Sequence, residues 1–157
     1  MGKTTGHLPV GKVRPMGPAD IDAVLAVEEA SFLTPWSRAA FEAEMGDNEL
    51  ARYLVMEADG AVVGYAGMWM ILDEAHVTNI AIAPAFRGKG LGTVLVTALI
   101  DFAVRLGATC MTLEVRVSNL DAQRLYRRLG FEPRGLRPGY YSDSGEDALI
   151  MWRDDLA

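Results

Sequence analysis

Asn79-Ile80-Ala81-Ile82-Ala83-Pro84-Ala85-Phe86-Arg87-Gly88-Lys89-Gly90-Leu91-Gly92 decides the reading of this chain. An apolar strand runs into a proline, then a glycine-rich turn, then a long amphipathic helix. Glycines alternate at 88, 90 and 92. Backbone without Cβ atoms can turn sharply and approach a ligand closely. The helix that follows offers free N–H groups and the positive end of its dipole to an anion. Arg87 and Lys89 add positive charge within the loop. The pattern predicts a pyrophosphate cradle; the plainer alternative is a tight connection between strand and helix.

Spacing separates this loop from two common nucleotide motifs. The dinucleotide fingerprint is G-x-G-x-x-G, whereas here the third glycine falls one residue early. The Walker A loop is G-x-x-x-x-G-K-[ST]. Gly6 to Lys12 nearly fits it, but Val13 replaces the magnesium-binding hydroxyl and no strand precedes it.

With 157 residues, the chain is expected to hold one domain, 10–157, behind a loose arm over 1–9. Hydrophobic residues make up 50% and charged ones 23%, which is a globular balance. A net charge of −6 argues against a general nucleic-acid binder. The lone Cys110 excludes an internal disulfide, and with His7 and His76 far apart no zinc-type cluster is visible, so no metal is expected. No apolar run is long enough to span a membrane, and the N-terminus has no signal-peptide h-region. A cytoplasmic location is therefore expected; the oligomeric state does not follow from these features, and a monomer is the expectation.

Patterning predicts a strand near 10–16 and a helix from Pro18 and Asp20 to about Phe32. A second helix, capped by Ser37, runs to about Met45. A hairpin over 51–58 and 61–72 turns at Asp59-Gly60. A strand follows at 75–83, then the glycine loop and a helix over 91–106 with Leu95, Leu99, Phe102 and Leu106 on one face, stopped by Gly107. A strand at 109–117 leads to a helix that Ser118 and Asp121 open as a capping box and Gly130 ends. Strands near 131–137 and 146–153 close an α/β fold.

Alternation on Met111-Thr112-Leu113-Glu114-Val115-Arg116 puts Thr112, Glu114 and Arg116 on one face. Glu114 is either a solvent-facing residue or, if partly buried, a base. Tyr126 lies beside the apolar stripe of Ala122, Leu125 and Leu129, as core packing or as a donor. Arg124, Arg127 and Arg128 read as a solvated face, and Cys110 as a buried, inert thiol.

Together these features resemble the GCN5-related N-acetyltransferase (GNAT) superfamily. Its acetyl-CoA signature, (Q/R)-x-x-G-x-(G/A), is matched by Arg87-Gly88-Lys89-Gly90-Leu91-Gly92. Within it, four segments resemble the bacterial ribosomal-protein-alanine N-acetyltransferases, the RimI type. They are Thr34-Pro35-Trp36-Ser37, Leu113 to Asn119, Leu125 to Phe131, and Tyr140-Tyr141 followed by Gly145-Glu146-Asp147-Ala148. The resemblance spans about residues 12–153. It implies the GNAT fold: a mixed, mostly antiparallel sheet of about seven strands with four helices, whose splayed central strands hold the cofactor.

The resemblance also implies roles. Ile80, Ala81 and Ile82 would bind the pantetheine arm of acetyl-CoA through their backbone. Arg87, Gly88, Lys89, Gly90, Leu91, Gly92 and Thr93 would wrap its pyrophosphate, and Asn119 would contact it at the splay. Glu114 matches the general base and Tyr126 the general acid. Trp36, Tyr140 and Tyr141 match the walls of a peptide groove. The implied reaction is acetylation of a protein N-terminal amine, that of a small-subunit ribosomal protein beginning with alanine. Pro138-Gly139 and Thr93 depart from the pattern. Two rivals stand: an acetyltransferase for a lysine side chain or small amine, and a non-catalytic module that binds acetyl-CoA.

Overall fold

The computed structural model describes residues 11–156; the arm expected over 1–9 and the first residue of the expected 10–16 strand lie outside the described residues. The strands are β1 (Lys12–Pro15), β2 (Ala51–Ala58), β3 (Ala61–Ile71), β4 (Glu74–Ile82), β5 (Cys110–Arg116), β6 (Glu132–Tyr141) and β7 (Glu146–Arg153). The helices are α1 (Ile21–Ser31), α2 (Arg38–Gly46), α3 (Leu91–Arg105) and α4 (Leu120–Arg128). One seven-stranded sheet runs β1-β2-β3-β4-β5-β7-β6. Every neighbouring pair is antiparallel except β4 and β5. This is the mixed, mostly antiparallel sheet with four helices that the resemblance implies.

Local chemistry explains most boundaries. Asp59 and Gly60 both adopt positive φ, 52° and 79°, as the two-residue turn between β2 and β3 requires. Ser37 Oγ accepts the Ala40 N–H at 3.1 Å and starts α2. The expected capping box at Ser118 is not formed. Asn119 caps α4, its side chain accepting the Ala122 N–H at 3.1 Å. Glu146 Oε2 takes the Ser118 amide at 2.8 Å, and Asp121 pairs with Arg124, so the helix begins one residue later.

Helices cover both faces of the sheet. Val24, Val27 and Phe41 from α1 and α2 pack on Tyr53, Val55 and Tyr65. On the other face Leu91, Leu95, Val96, Leu99, Ile100 and Ala103 of α3 pack on Leu54, Met56, Ala66 and Met68. Neighbouring residues of β2 and β3 thus serve opposite cores, as strand alternation dictates. The stripe expected on α3 holds except at its end. Leu95 and Leu99 are buried, Phe102 packs half-buried against the same core with Arg105 over its ring, and Leu106 is the exposed C-cap. A crossover helix lying across a sheet buries a wider arc than four residues at i, i+4, i+7 and i+11.

The sheet opens at its centre. β4 pairs with β5 only at Glu74↔Cys110, Ala75↔Met111 and His76↔Thr112. Just beyond, the register with β3 passes from Met68↔Val77 to Gly67↔Asn79, leaving Thr78 as a bulge. A bulge bends its strand and sharpens the local twist. From there β4 and β5 diverge into a wedge.

Candidate active site

The wedge holds a cavity of about 430 Å³. Val77 to Ile80 of β4 line one side and Leu113 to Arg116 of β5 the other. Asn119, Ala122 and Tyr126 close it from α4, Trp36 from the α1–α2 loop, and Tyr140 and Tyr141 from β6. The structure therefore brings together Glu114, Tyr126, Asn119, Ile80, Trp36, Tyr140 and Tyr141. Ala81, Ile82 and the Arg87–Thr93 loop lie outside this lining.

Glu114 faces the cavity from mid-β5, its side chain 22% exposed, with Arg137 Nε 3.4 Å from Oε2. Tyr126 is buried against Phe131, ring centroids 5.8 Å apart. Burial pushes the Tyr126 phenol up to about 12. Among the described residues its hydroxyl has no hydrogen-bond partner, yet no buried side-chain polar atom there is left unsatisfied. The hydroxyl therefore reaches the cavity surface.

The aromatic wall is braced from behind. Tyr140 and Tyr141 meet edge to face at 5.1 Å, and the Arg116 guanidinium sits 4.0 Å over the Tyr141 ring. Arg116 is itself tied to Asp143 and Glu146 across the β6–β7 turn. β6 runs on through Pro138-Gly139 to Tyr141, beyond the end expected at 137. Two extra residues are absorbed between Arg137↔Ala148 and Tyr141↔Glu146, with Gly139 at φ 61° and its N–H held by Asp147 Oδ1 at 2.9 Å.

Beside the cavity, Gly88 and Gly90 take φ of 75° and 82°, where a side chain would be strained. Nothing lies within 4 Å of a Cβ added at either. Gly92 instead allows close packing, its added Cβ being 3.3 Å from Leu125 of α4. Gly90 caps α3 without any side-chain hydrogen bond, so the first N–H groups of that helix stay open to an anion. Lys89 is exposed, Leu91 is buried and Thr93 is half-buried. The Arg87 side chain turns away, donating to Ile82 O at 2.9 Å and Ser31 Oγ at 3.0 Å. Just past β4 the Ala83 N–H donates to Val63 O at 2.7 Å. Alternation then turns the Ala81 N–H toward β3 and those of Ile80 and Ile82 toward the wedge. These features fit an anionic group at the N-terminus of α3 and a ligand that hydrogen-bonds along the open edge of β4.

Several residues of the site escaped the sequence reading. Gln123 is buried and donates to Arg116 O at 3.0 Å and Val117 O at 2.9 Å, fixing the end of β5. Glu28 lines the cavity while only 2% exposed. Its sequence signal is a carboxylate four residues after Val24 and next to Val27, on the buried face of α1. Cys110 is half-buried, its thiol pushed up by burial and by Glu74. Arg124, Arg127 and Arg128 are exposed, as expected.

Residues 21–131 match the acetyltransferase (GNAT) family profile. The chain belongs to the GNAT family. It is 47% identical over 140 residues to a Bacillus subtilis (strain 168) protein provisionally named [ribosomal protein bS18]-alanine N-acetyltransferase, with 89% of this chain and 93% of the relative covered. It is 37% identical over 134 residues to the [ribosomal protein bS18]-alanine N-acetyltransferase of Escherichia coli (strain K12), covering 84% and 89%. A crystal structure of the Escherichia coli ribosomal-protein-S18-alanine N-acetyltransferase superposes with a TM-score of 0.85 at 32% identity, covering 93% of this chain and 94% of that one. Ard1 from Thermoplasma volcanium superposes with a TM-score of 0.83 at 30% identity, covering 94% and 99%. This GNAT chain is an enzyme of the N-acetyltransferase type. Among the described residues no helix is long and apolar enough to cross a membrane.

Proposed function

We propose that residues 10–157 form one catalytic domain that transfers the acetyl group of acetyl-CoA to a protein N-terminal α-amine. The proposed acceptor is the N-terminal alanine of a ribosomal protein of the bS18 kind. The observation that carries this reading is the meeting of the Glu114 carboxylate and the Tyr126 hydroxyl in one cavity, beneath an aromatic wall. The relatives named above support the acceptor.

In the proposed reaction acetyl-CoA is a substrate. Its pyrophosphate rests at Gly88–Thr93 and its pantetheine arm along Ile80–Ile82, with Asn119 beside it. The acceptor enters between Trp36 and the Tyr140-Tyr141 pair as an ammonium. Its pKa near 8 makes proton removal easy at neutral pH, and Glu114 takes that proton directly or through water. The amine nitrogen attacks the thioester carbonyl carbon. Inward-facing backbone N–H groups of β4 stabilise the oxyanion. The C–S bond breaks, the nitrogen releases its second proton to solvent as the amide forms, and Tyr126 gives its proton to the departing thiolate and recovers one from solvent. The amide and free CoA are the products.

The test is CoA release on two peptides. One starts with a free alanine and carries basic residues; the other has its α-amine blocked and one internal lysine. Turnover is expected on the first alone. Turnover on the blocked peptide alone would make the chain a lysine acetyltransferase.

A further inference from the structure

The α1–α2 loop that carries Trp36 has little to hold it. Between Leu33 and Trp36 the Trp36 amide is the one main-chain N–H with a hydrogen-bond partner among the described residues. That partner is Glu28 Oε2, 2.8 Å away. The other oxygen of Glu28 accepts the Tyr65 hydroxyl proton. Tyr65 Oη in turn accepts from Asn79 Nδ2 at 3.0 Å. Asn79 Oδ1 accepts from Thr78 Oγ1 at 2.9 Å, with Tyr53 Oη 3.3 Å from it. Beyond Tyr53 lies a second buried carboxylate, Glu44, at 2.8 Å. One hydrogen-bonded chain thus runs from the Trp36 wall of the cavity to the bulge in β4 that forms the wall facing it.

A buried carboxylate is costly unless its lone pairs are met by donors. Here both oxygens are met, and hydrogen bonds to a charged acceptor are the strong ones. An apolar side chain would fill the same space without tethering Trp36 to Tyr65 and Asn79. We propose that Glu28 is a positioning residue that sets acceptor size. By pinning Trp36 against the Tyr65–Asn79 pair, it fixes the width of the cavity where the first acceptor side chain lies. This rests on the proposed placement of the acceptor at Trp36. A narrow, held wall favours a small first side chain such as alanine over a branched one.

The test compares wild type with Glu28→Gln and Tyr65→Phe on peptides that differ only in a first residue of Ala or Leu. A propylamine and isobutylamine pair is run alongside. Glutamine brings one acceptor to two donors, so one tether is lost; phenylalanine leaves Glu28 on Trp36 but cuts the link to Asn79. The small-to-branched ratio of kcat/KM is expected to fall about tenfold in both, within the range of one methylene of hydrophobic discrimination. KM for acetyl-CoA stays unchanged. Amide exchange at Trp36 should quicken at least about tenfold in Glu28→Gln. Lower melting temperature with an unchanged ratio and unchanged Trp36 exchange would make Glu28 a packing residue and overturn the proposal. Turnover of the simple amines alone would sink the protein-acceptor reading while still deciding Glu28 by their ratio. Silence on every acceptor leaves the Trp36 exchange rate to decide.

Discussion

Tyr126→Phe removes one oxygen atom from the cavity and nothing else. The ring keeps its contact with Phe131 and its place in the core. The hydroxyl has no partner to orphan among the described residues, so the cost to stability is expected to stay below about 0.5 kcal/mol. The kinetic effect can be bounded from the phenol itself. Its pKa of about 12 lies roughly 3.5 pH units above an ordinary thiol, so proton transfer to a free thiolate is uphill by about 5 kcal/mol. Tyr126 is then a weak acid that helps only while charge builds on sulfur. The expected loss in kcat is about 10- to 100-fold, at or below the lower bound of general-acid catalysis. CoA release under single-turnover conditions isolates that step, and a thermal melt accompanies it. An unchanged chemical step would leave Tyr126 as core packing. A melting temperature lowered by more than a few degrees would show that the hydroxyl has a structural partner.

Glu114→Gln should lower the rate about 10²-fold or more at neutral pH; wild-type-like rates across pH 6 to 9 would remove it as the base. Gly90→Ala forces a left-handed residue at φ 82° and should cost about 1–2 kcal/mol, or roughly 2–8 °C in melting temperature. KM for acetyl-CoA should rise several-fold with the acceptor KM unchanged; equal changes in both would dissociate the loop from the donor. Acid should destabilise the aromatic wall. Hydrogen bonding to Arg116 holds the Asp143 carboxyl below its ordinary value, as Arg14 does for Asp20. A depressed carboxylate stabilises the fold above its unfolded pKa near 4, and the gain is lost as pH falls through the lower folded value. Melts from pH 6 to 3 should fall less steeply in Arg116→Gln than in wild type; identical slopes would discount the pair.

Legibility in the sequence tracked how local the cause was. The Asp59-Gly60 turn, the Ser37 cap and the alternation along β5 depend on a few neighbouring residues, and each was legible. Asn119 displaced Ser118 as a cap because Glu146, 28 residues away, claims the Ser118 amide. β6 outran its expected end because it is an edge strand. Pro138 there needs no ladder donor, and a bulge accommodates Gly139. The wedge between β4 and β5 came from the family resemblance, since its cause is an unpaired residue in another strand's register. Glu28 is not legible because its side-chain partner, Tyr65, lies 37 positions away in sequence.

The three-residue ladder between β4 and β5 makes the sheet two rafts joined by a short seam. One raft is the β1–β4 meander, the other the β5-β7-β6 group, and each is held by longer ladders than the seam. A seam at one end acts as a hinge line: strain applied to the rafts widens or narrows the far end and leaves Glu74 to His76 nearly still. Under the proposed reaction, any such opening falls where donor and acceptor meet.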